Sequence, residues 1–174
     1  MSDGTKLQAR ILPTTLLDRA AYFLATLWPL GHVPKAPGTA GALFAALSAP
    51  WLFMPLPIWG RLTVLAVIFV LGGLAATRVE RITGRKDPGC VIVDELLGQW
   101  VTYLPFAHLE FWQLLVGFSL FRLFDISKPW PVCRSETCLP EGFGVMIDDA
   151  VAALYAAACL WLVASLEAWL FAMS

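Results

Sequence analysis

The segment VIVDELLGQW, residues 91–100, places Asp94 and Glu95 side by side among apolar residues. Charge is scarce in this chain, since only 14% of its residues are Asp, Glu, Lys or Arg. Two adjacent carboxylates in such surroundings either begin a helix at a water boundary or hold a cation, and the two interpretations are compatible. This segment is therefore the first candidate for a chemical site.

Two further acidic segments interrupt strongly apolar sequence. Asp125 lies in FRLFDISKPWP, and Asp148 and Asp149 lie in VMIDDAV. Five carboxylates that converge from three segments repel one another unless a divalent cation or a cationic substrate neutralises them. Mg²⁺ suits them, because it is a hard ion that takes carboxylate and water oxygens and commonly bridges to phosphate. We predict that the three segments meet and form a Mg²⁺ site.

Each acid also has a purely structural interpretation. Asp94 could cap the helix that it begins, and the pair Asp148 and Asp149 admits the same explanation. Asp125 is predicted near the end of a helix, where the dipole disfavours an anion, so its alternative is an ion pair with Arg122. Taken together, the acids favour a functional site over several unrelated caps.

The sequence PGTAG at residues 37–41 is a candidate anion site. It opens a predicted helix, and backbone N–H groups freed by glycines at a helix start bind anions. The same pattern alone is more often just a turn and a cap. Cationic contacts to phosphate or to lipid head groups could come from Lys35, Arg122, Lys128 and the basic residues of 78–86. The topology of the chain explains most of these positive charges without chemistry.

Composition places the chain in a membrane. It has 174 residues, of which 59% are hydrophobic, and a mean hydropathy of +0.71, far above what a soluble domain needs. A net charge of -1 gives no basic field, which excludes nucleic acid as a partner. The length suits one domain, with a polar N-terminal tail at residues 1–13. The cysteines lack zinc spacing, and neither a P-loop nor an Asp-x-Asp motif is present.

Apolar runs and their breakers predict an all-α fold, a compact polytopic helical membrane bundle of about five to six helices. The predicted helices are residues 14–30, 41–56, 62–77, 94–104, 111–124 and 148–171. The first is as consistent with an amphipathic helix on the membrane surface as with a full span. Residues 78–88 are rich in Arg and Lys, which predicts a loop in water. The eight tryptophans, Trp100 among them, lie mostly near predicted helix ends, as interface anchors do.

If each helix crosses and the next returns, the motif loops all emerge at one end of the bundle. These loops are residues 37–41, 78–93 and 126–147, whereas the turns at 55–60 and 105–110 emerge at the other end. The first end carries most of the Lys and Arg residues, against Arg61 alone at the second. The positive-inside bias makes the first end cytoplasmic, so we expect the site at the cytoplasmic membrane surface.

Two other functions use acidic residues within a membrane. A small ion-coupled carrier would bind protons or cations, but it predicts acids near the bilayer midplane and repeated halves, and the sequence shows neither. A phosphatidyltransferase is expected to carry a long Asp-Gly-containing motif, which is absent. The carrier remains the alternative to a Mg²⁺ site that acts on a phosphate group.

Four sequence blocks resemble the bacterial phosphatidylglycerophosphatase A family. They are PGTAGAL at 37–43, DPGCVIVDELLGQW at 87–100, FRLFDISKPWPV at 121–132 and GFGVMIDDAVAA at 142–153, in the family's order and spacing. The resemblance covers most of the chain. It implies a Mg²⁺-dependent phosphatase of the bacterial inner membrane that removes the terminal phosphate of phosphatidylglycerophosphate and yields phosphatidylglycerol.

Matched motif by motif, the resemblance also implies residue roles. The implied catalytic acids are Asp94, Glu95, Asp125 and Asp149. The implied metal ligands are these four together with Asp148 and, as a weaker member, Asp87. The implied phosphate or head-group contacts are Gly38, Thr39, Gly41, Arg122 and Lys128. Under this hypothesis either water attacks phosphorus in line, with Asp149 or Glu95 accepting its proton, or an aspartate forms a covalent phosphoenzyme.

Overall fold

The computed structural model describes residues 15–130, 132 and 139–173, and its secondary structure there is helical throughout. These residues contain α1 (Leu16–Thr26), a 3₁₀ helix (Leu30–His32), α2 (Pro37–Leu52), α3 (Ile58–Thr83), α4 (Val93–Tyr103), α5 (Phe111–Ser127) and α6 (Gly142–Met173). The prediction of an all-α bundle of five to six helices is confirmed. The tail predicted at residues 1–13 lies outside the described residues.

The first helix is short and amphipathic. Thr15 caps it, because the Thr15 hydroxyl accepts from the Asp18 N–H at 3.1 Å and the Asp18 carboxylate accepts from the Thr15 N–H at 3.0 Å. Its 11 residues span about 16 Å, too little to cross a bilayer. Leu16 and Leu17 are exposed while Asp18 is buried. These features favour the amphipathic interpretation of residues 14–30 over a full span.

Two helix boundaries differ from the predicted ones in a way that matters for the site. α3 continues to Thr83, so Arg78 and Arg81 are helical, and the prediction of a loop beginning at residue 78 was wrong. α6 begins at Gly142 rather than at residue 148, so Asp148 and Asp149 lie in the second turn of α6. They therefore do not cap the helix, which excludes the interpretation of this pair as a helix cap.

Two helices, α3 and α6, are long and apolar enough to cross a membrane. Only 39% of the most apolar window of α3 and 33% of that of α6 is buried within the protein. A helix that is apolar on its exposed faces needs an apolar medium, which favours lipid around both. By contrast, α2 with 16 residues and α5 with 17 are shorter than the roughly 20 residues of a full span. Crossing by every helix therefore stays a prediction.

One buried arginine joins the two turns at one end of the bundle. Arg61 is 7% exposed and donates to the backbone carbonyls of Leu56 at 2.9 Å and Leu104 at 3.2 Å, and also to those of Phe106 and Met54. Carbonyls at helix ends lack partners within their own helix, so a guanidinium shared among them closes both turns at once. The turns predicted at one common end do meet there.

Helix α4 is short, but it lies in the centre of the bundle and packs against α6, α2, α3 and α5. Gly98 allows the closest approach, since a Cβ there would lie 2.5 Å from the Phe121 ring and 3.1 Å from the Asp149 carbonyl oxygen. On the opposite face Trp100 is 7% exposed, stacks on Phe53 and donates to the Ala45 carbonyl at 2.9 Å. The prediction that Trp100 anchors the membrane interface was wrong. Its role is to fix α4 against α2.

Candidate active site

Three carboxylates meet inside the bundle. Asp94 and Glu95 come from the first turn of α4 and Asp149 from the second turn of α6, and one oxygen of each lies within 4.8 Å of the others. Asp94 and Asp149 are each 4% exposed, and the Glu95 side chain is 13% exposed. The side-by-side packing of α4 and α6 brings them together, although they are far apart in sequence. We call these three residues the carboxylate cluster.

Polar atoms of the carboxylate cluster lack partners among the described residues. They are Asp94 Oδ1, Glu95 Oε2 and Asp149 Oδ2. Native proteins rarely leave buried polar atoms unpaired, and unpaired charges are the costliest case. Closely spaced carboxylate oxygens are the ligands that hard divalent cations take. The cluster therefore fits a divalent metal ion by donor type, by spacing and by its unpaired atoms.

The electrostatics of the two α4 acids agree with this fit. Burial raises the pKa of Asp94 to about 6. Burial, followed by the charge of Asp94, raises the pKa of Glu95 well above its ordinary value. Both residues lie in α4, outside the two candidate membrane spans. A cation beside them would act in the opposite direction and favour the charged forms.

This gives a testable pH dependence for the metal-free protein. The folded-state pKa of Asp94, about 6, lies above its ordinary value of 3.8, so between these values the folded chain holds a proton that the unfolded chain releases. The free energy of unfolding should therefore fall as pH rises through this window, by up to about 3 kcal/mol. Melting in chelator at about pH 4 and about pH 7 measures this fall. Asp94→Asn should reduce it, whereas a melting temperature that rises with pH would contradict the assignment.

Arg122 in α5 borders the carboxylate cluster. Its Nη1 lies 2.5 Å from Asp125 Oδ2 and 3.7 Å from Glu95 Oε1. The Arg122–Asp125 ion pair, the structural alternative for Asp125, is thus present. Asp125 nevertheless interacts electrostatically with Asp149, so it lies beside the cluster and not away from it. The Arg122 Nε is buried and has no acceptor among the described residues, which leaves one donor for an anion.

The neighbouring acids Asp148 and Asp149 have different surroundings. Asp148 is 1% exposed and forms an ion pair with Lys128, the residue that ends α5 in a left-handed conformation with φ 41°. Asp149 joins the carboxylate cluster. The structure thus places Asp148 with a cationic side chain and outside the cluster, although sequence reasoning grouped both as metal ligands. Lys128 is fixed by this pair near the cluster's α6 side.

Asp87 lies at the edge of the site. It is exposed, has a φ of 45°, and its backbone N–H donates to Glu80 Oε1 at 3.0 Å. Its charge contributes to the raised pKa of Asp94, which places it nearby. It is not part of the carboxylate cluster, and its weaker role as a metal ligand stays a prediction.

The PGTAG segment is the first turn of α2 and not a loop, with Pro37 at the helix start. A Cβ on Gly38 would lie only 1.9 Å from Glu95 Oε1, so this glycine lets the start of α2 approach the carboxylate cluster. The first N–H groups of a helix have no internal acceptor and favour anions. Thr39 is half-buried in the same turn. Gly41 instead packs on Ile92, where a Cβ would lie 3.1 Å from the Ile92 Cβ.

Fold and site together define a small helical protein whose buried carboxylates lie beside an arginine and a glycine-opened helix start. This combination can hold a cation next to an anionic phosphate ester. The family model described as "Phosphatidylglycerophosphatase A" matches residues 23–164. The chain belongs to this family, as the resemblance of its motifs predicted, and is a phosphoric monoester hydrolase.

Relatives agree with this assignment. A Haemophilus influenzae protein named phosphatidylglycerophosphatase A is 34% identical over 135 residues, 78% of this chain and 83% of its own length. An Escherichia coli protein of the same name is 30% identical over 144 residues, 82% of each chain. A Bacteroides thetaiotaomicron protein, named provisionally as a phosphatidylinositol-3-phosphatase, is 40% identical over 131 residues, 72% of this chain and 81% of its own. No solved structure matches the chain significantly.

Proposed function

We propose that this protein hydrolyses the terminal phosphomonoester of phosphatidylglycerophosphate in a Mg²⁺-dependent reaction and releases phosphatidylglycerol and phosphate. The observation that carries the proposal is the carboxylate cluster, with three buried and unpaired oxygens beside Arg122 and Gly38. The relatives named as phosphatidylglycerophosphatase A support the choice of substrate. An ion carrier would not need an anion site next to its acids.

The residues suited to hold the cation are Asp94, Glu95 and Asp149, because their oxygens are within 4.8 Å of one another. Asp125 supports them from the side, through its contact with Arg122 and its charge beside Asp149. When bound, Mg²⁺ supplies positive charge that offsets the carboxylates and attracts the oxygens of the phosphoryl group. Its preference for oxygen ligands over nitrogen or sulfur matches the donor set.

The chain's own cationic groups would orient the phosphate. Arg122 Nε is an unused buried donor, and guanidinium groups bind phosphate oxygens with well-defined geometry. Lys128, whose side chain is 38% exposed, offers a second positive charge. The first N–H groups of α2, at Gly38 and Thr39, provide neutral donors of the kind that stabilise charge on phosphoryl oxygens.

The proton of the attacking water must also be accepted. A water that adds to phosphorus in line gives up a proton to a base, while the P–O bond to the glycerol head group breaks, and the base then returns this proton to the leaving oxygen so that the alcohol departs neutral. Asp149 and Glu95 are the acceptors placed for this, since each has one oxygen without a partner among the described residues. Burial raises the pKa of the Glu95 carboxyl group above its ordinary value, which makes this group a stronger base than it is in water.

We further propose that the site faces the cytoplasm from a bacterial inner membrane that the chain crosses more than once. Arg78, Arg81, Arg122 and Lys128 all form ion pairs at the site end. At the other end Arg61 is the basic residue in the described turns, and it is buried on backbone carbonyls. The basic side chains are therefore concentrated at the site end, and those of Arg78, Arg81 and Lys128 are well exposed there, which supports a cytoplasmic location for it.

Phosphate release from phosphatidylglycerophosphate by the purified full chain in detergent micelles tests the proposal. Release should require Mg²⁺, stop with chelator and resume when Mg²⁺ is restored. The Bacteroides relative favours phosphatidylinositol 3-phosphate as a second candidate substrate, so both lipids should be compared at equal surface concentration. A higher kcat/KM on the inositol lipid would replace the proposed substrate, and Mg²⁺-independent release would contradict the role of the cluster.

A further inference from the structure

One fully buried polar side chain has no role in the site described so far. Gln99 lies in α4 and is 0% exposed. Neither its Nε2 nor its Oε1 has a hydrogen-bond partner among residues 15–130, 132 and 139–173. An amide buried without a partner opposes folding, and native structures seldom retain one without a reason. The reason must come from something that this side chain contacts in the working protein.

The helical register places Gln99 one turn after Glu95, a member of the carboxylate cluster. Residues four apart lie on the same helix face, and long side chains in a helix extend toward its N-terminus. Gln99 and Glu95 therefore share one face of α4, with Glu95 one turn earlier. Glu95 Oε2 is also without a partner, while Glu95 Oε1 lies beside Gly38 and 3.7 Å from Arg122 Nη1. An unused donor and an unused acceptor thus lie one turn apart.

Residues on either side of Gln99 in α4 make contacts of their own. Gly98 packs under the Phe121 ring and the backbone of Asp149. Trp100 is held by the Ala45 carbonyl. Thr102 donates to the Gly98 carbonyl at 3.1 Å. The contacts of Gly98 and Trp100 with other helices fix the rotation of α4, and in that rotation Gln99 is buried.

We propose that Gln99 is a positioning residue for Glu95. Its carboxamide donates a hydrogen bond to Glu95 Oε2, directly or through one water, and so keeps Oε1 beside Gly38 and the rest of the cluster in the metal-loaded enzyme. A neutral donor suits this position, because a lysine or arginine there would supply a positive charge that competes with the cation. The inference rests on the proposed function for its activity readout, and on the proposed metal site alone for its Mg²⁺-binding readout.

Gln99→Met tests this, because methionine fills nearly the same space without either polar atom. We expect kcat to fall about 10- to 100-fold, in line with the loss of a hydrogen bond to a charged group, with KM changed less than about twofold. The Mg²⁺ concentration at the midpoint of thermal stabilisation should rise. The melting temperature in chelator should stay equal or increase, because an unpaired buried amide has been removed.

Thr102→Val is the matched control, since Thr102 is equally buried in the same helix and its hydroxyl is already paired within α4. It should keep the wild-type kcat and Mg²⁺ midpoint.

Gln99→Asn keeps the amide but shortens the side chain by one methylene. It should therefore show the same fall in kcat and the same rise in the Mg²⁺ midpoint as Gln99→Met. It decides the question if the methionine variant does not fold. Wild-type kcat and Mg²⁺ midpoint in the folded Gln99 variant would overturn the proposal. If the wild type releases no phosphate, the proposed function fails and the Mg²⁺ midpoint alone decides on Gln99.

Discussion

Asp94→Asn is expected to reduce kcat for phosphate release by about 10³-fold or more while leaving the metal-free protein at least as stable as the wild type. Asparagine has nearly the shape of aspartate but lacks its charge, so it weakens cation binding at the carboxylate cluster. It also removes one of the charges that repel one another there, which favours the folded state without metal. Asp149→Asn should behave in the same way. Phosphate release and the melting temperature in chelator measure the two effects.

Asp18→Asn is a suitable control, because Asp18 is also 4% exposed but lies outside the site. Its carboxylate pairs with Arg78 at 2.6 Å and accepts from the Thr15 N–H, so it stabilises the contact between α1 and α3. Its replacement should lower the melting temperature and leave kcat within about twofold. Replacement of a cluster aspartate is thus expected to lower kcat without lowering the melting temperature, whereas replacement of Asp18 is expected to do the reverse. Near wild-type activity in both Asp94→Asn and Asp149→Asn would refute the metal-site assignment.

The sequence alone predicted that separate acidic segments meet, and three of the six predicted metal ligands form the cluster. The sequence could not predict which residue of the adjacent pair Asp148 and Asp149 joins the carboxylate cluster. Asp148 and Asp149 are adjacent in α6 and so lie about 100° apart around its axis. Which of them faces α4 depends on how α6 is rotated against its neighbours, and that rotation is set by packing. The structure shows Asp149 in the cluster and Asp148 paired with Lys128.

The predicted end of α3 was wrong for a related reason. Residues 78–83 carry Arg and Glu side chains, and a polar stretch after an apolar run favours a loop in water. In the structure Arg78 pairs with Asp18, and Arg81 pairs with Glu141 at 2.8 Å. Each partner is distant in sequence, so no local pattern reveals the pairing that lets α3 continue. The role inferred for Gln99 does have a local signal, its spacing of four residues from Glu95, but a glutamine in an apolar helix carries too little information to be chosen by that spacing alone.

Gly38→Ala is expected to reduce kcat about 100-fold with little change in stability, a combination that few core substitutions give. The new Cβ would lie 1.9 Å from Glu95 Oε1, so the carboxylate has to move. That oxygen is the far end of a flexible side chain, and alanine favours a helix more than glycine does, so the fold should accept the change. The displaced carboxylate no longer lies where it can share a cation with Asp94 and Asp149, and displacements of this size cost about two orders of magnitude in rate. Initial rates and melting temperatures of the purified variant measure both effects.

Gly60→Ala separates this effect from that of adding a methyl group to the start of any helix. Gly60 lies in the first turn of α3, where a Cβ would meet ordinary contacts at 3.4 Å from Leu56 and Pro57. Its variant should keep the wild-type kcat. If Gly38→Ala also kept it, Glu95 would function equally well in a displaced position, and the close approach of α2 to the carboxylate cluster would have no part in catalysis. A loss of stability without a loss of activity in Gly38→Ala would mean that the α2 backbone moves and Glu95 stays in place.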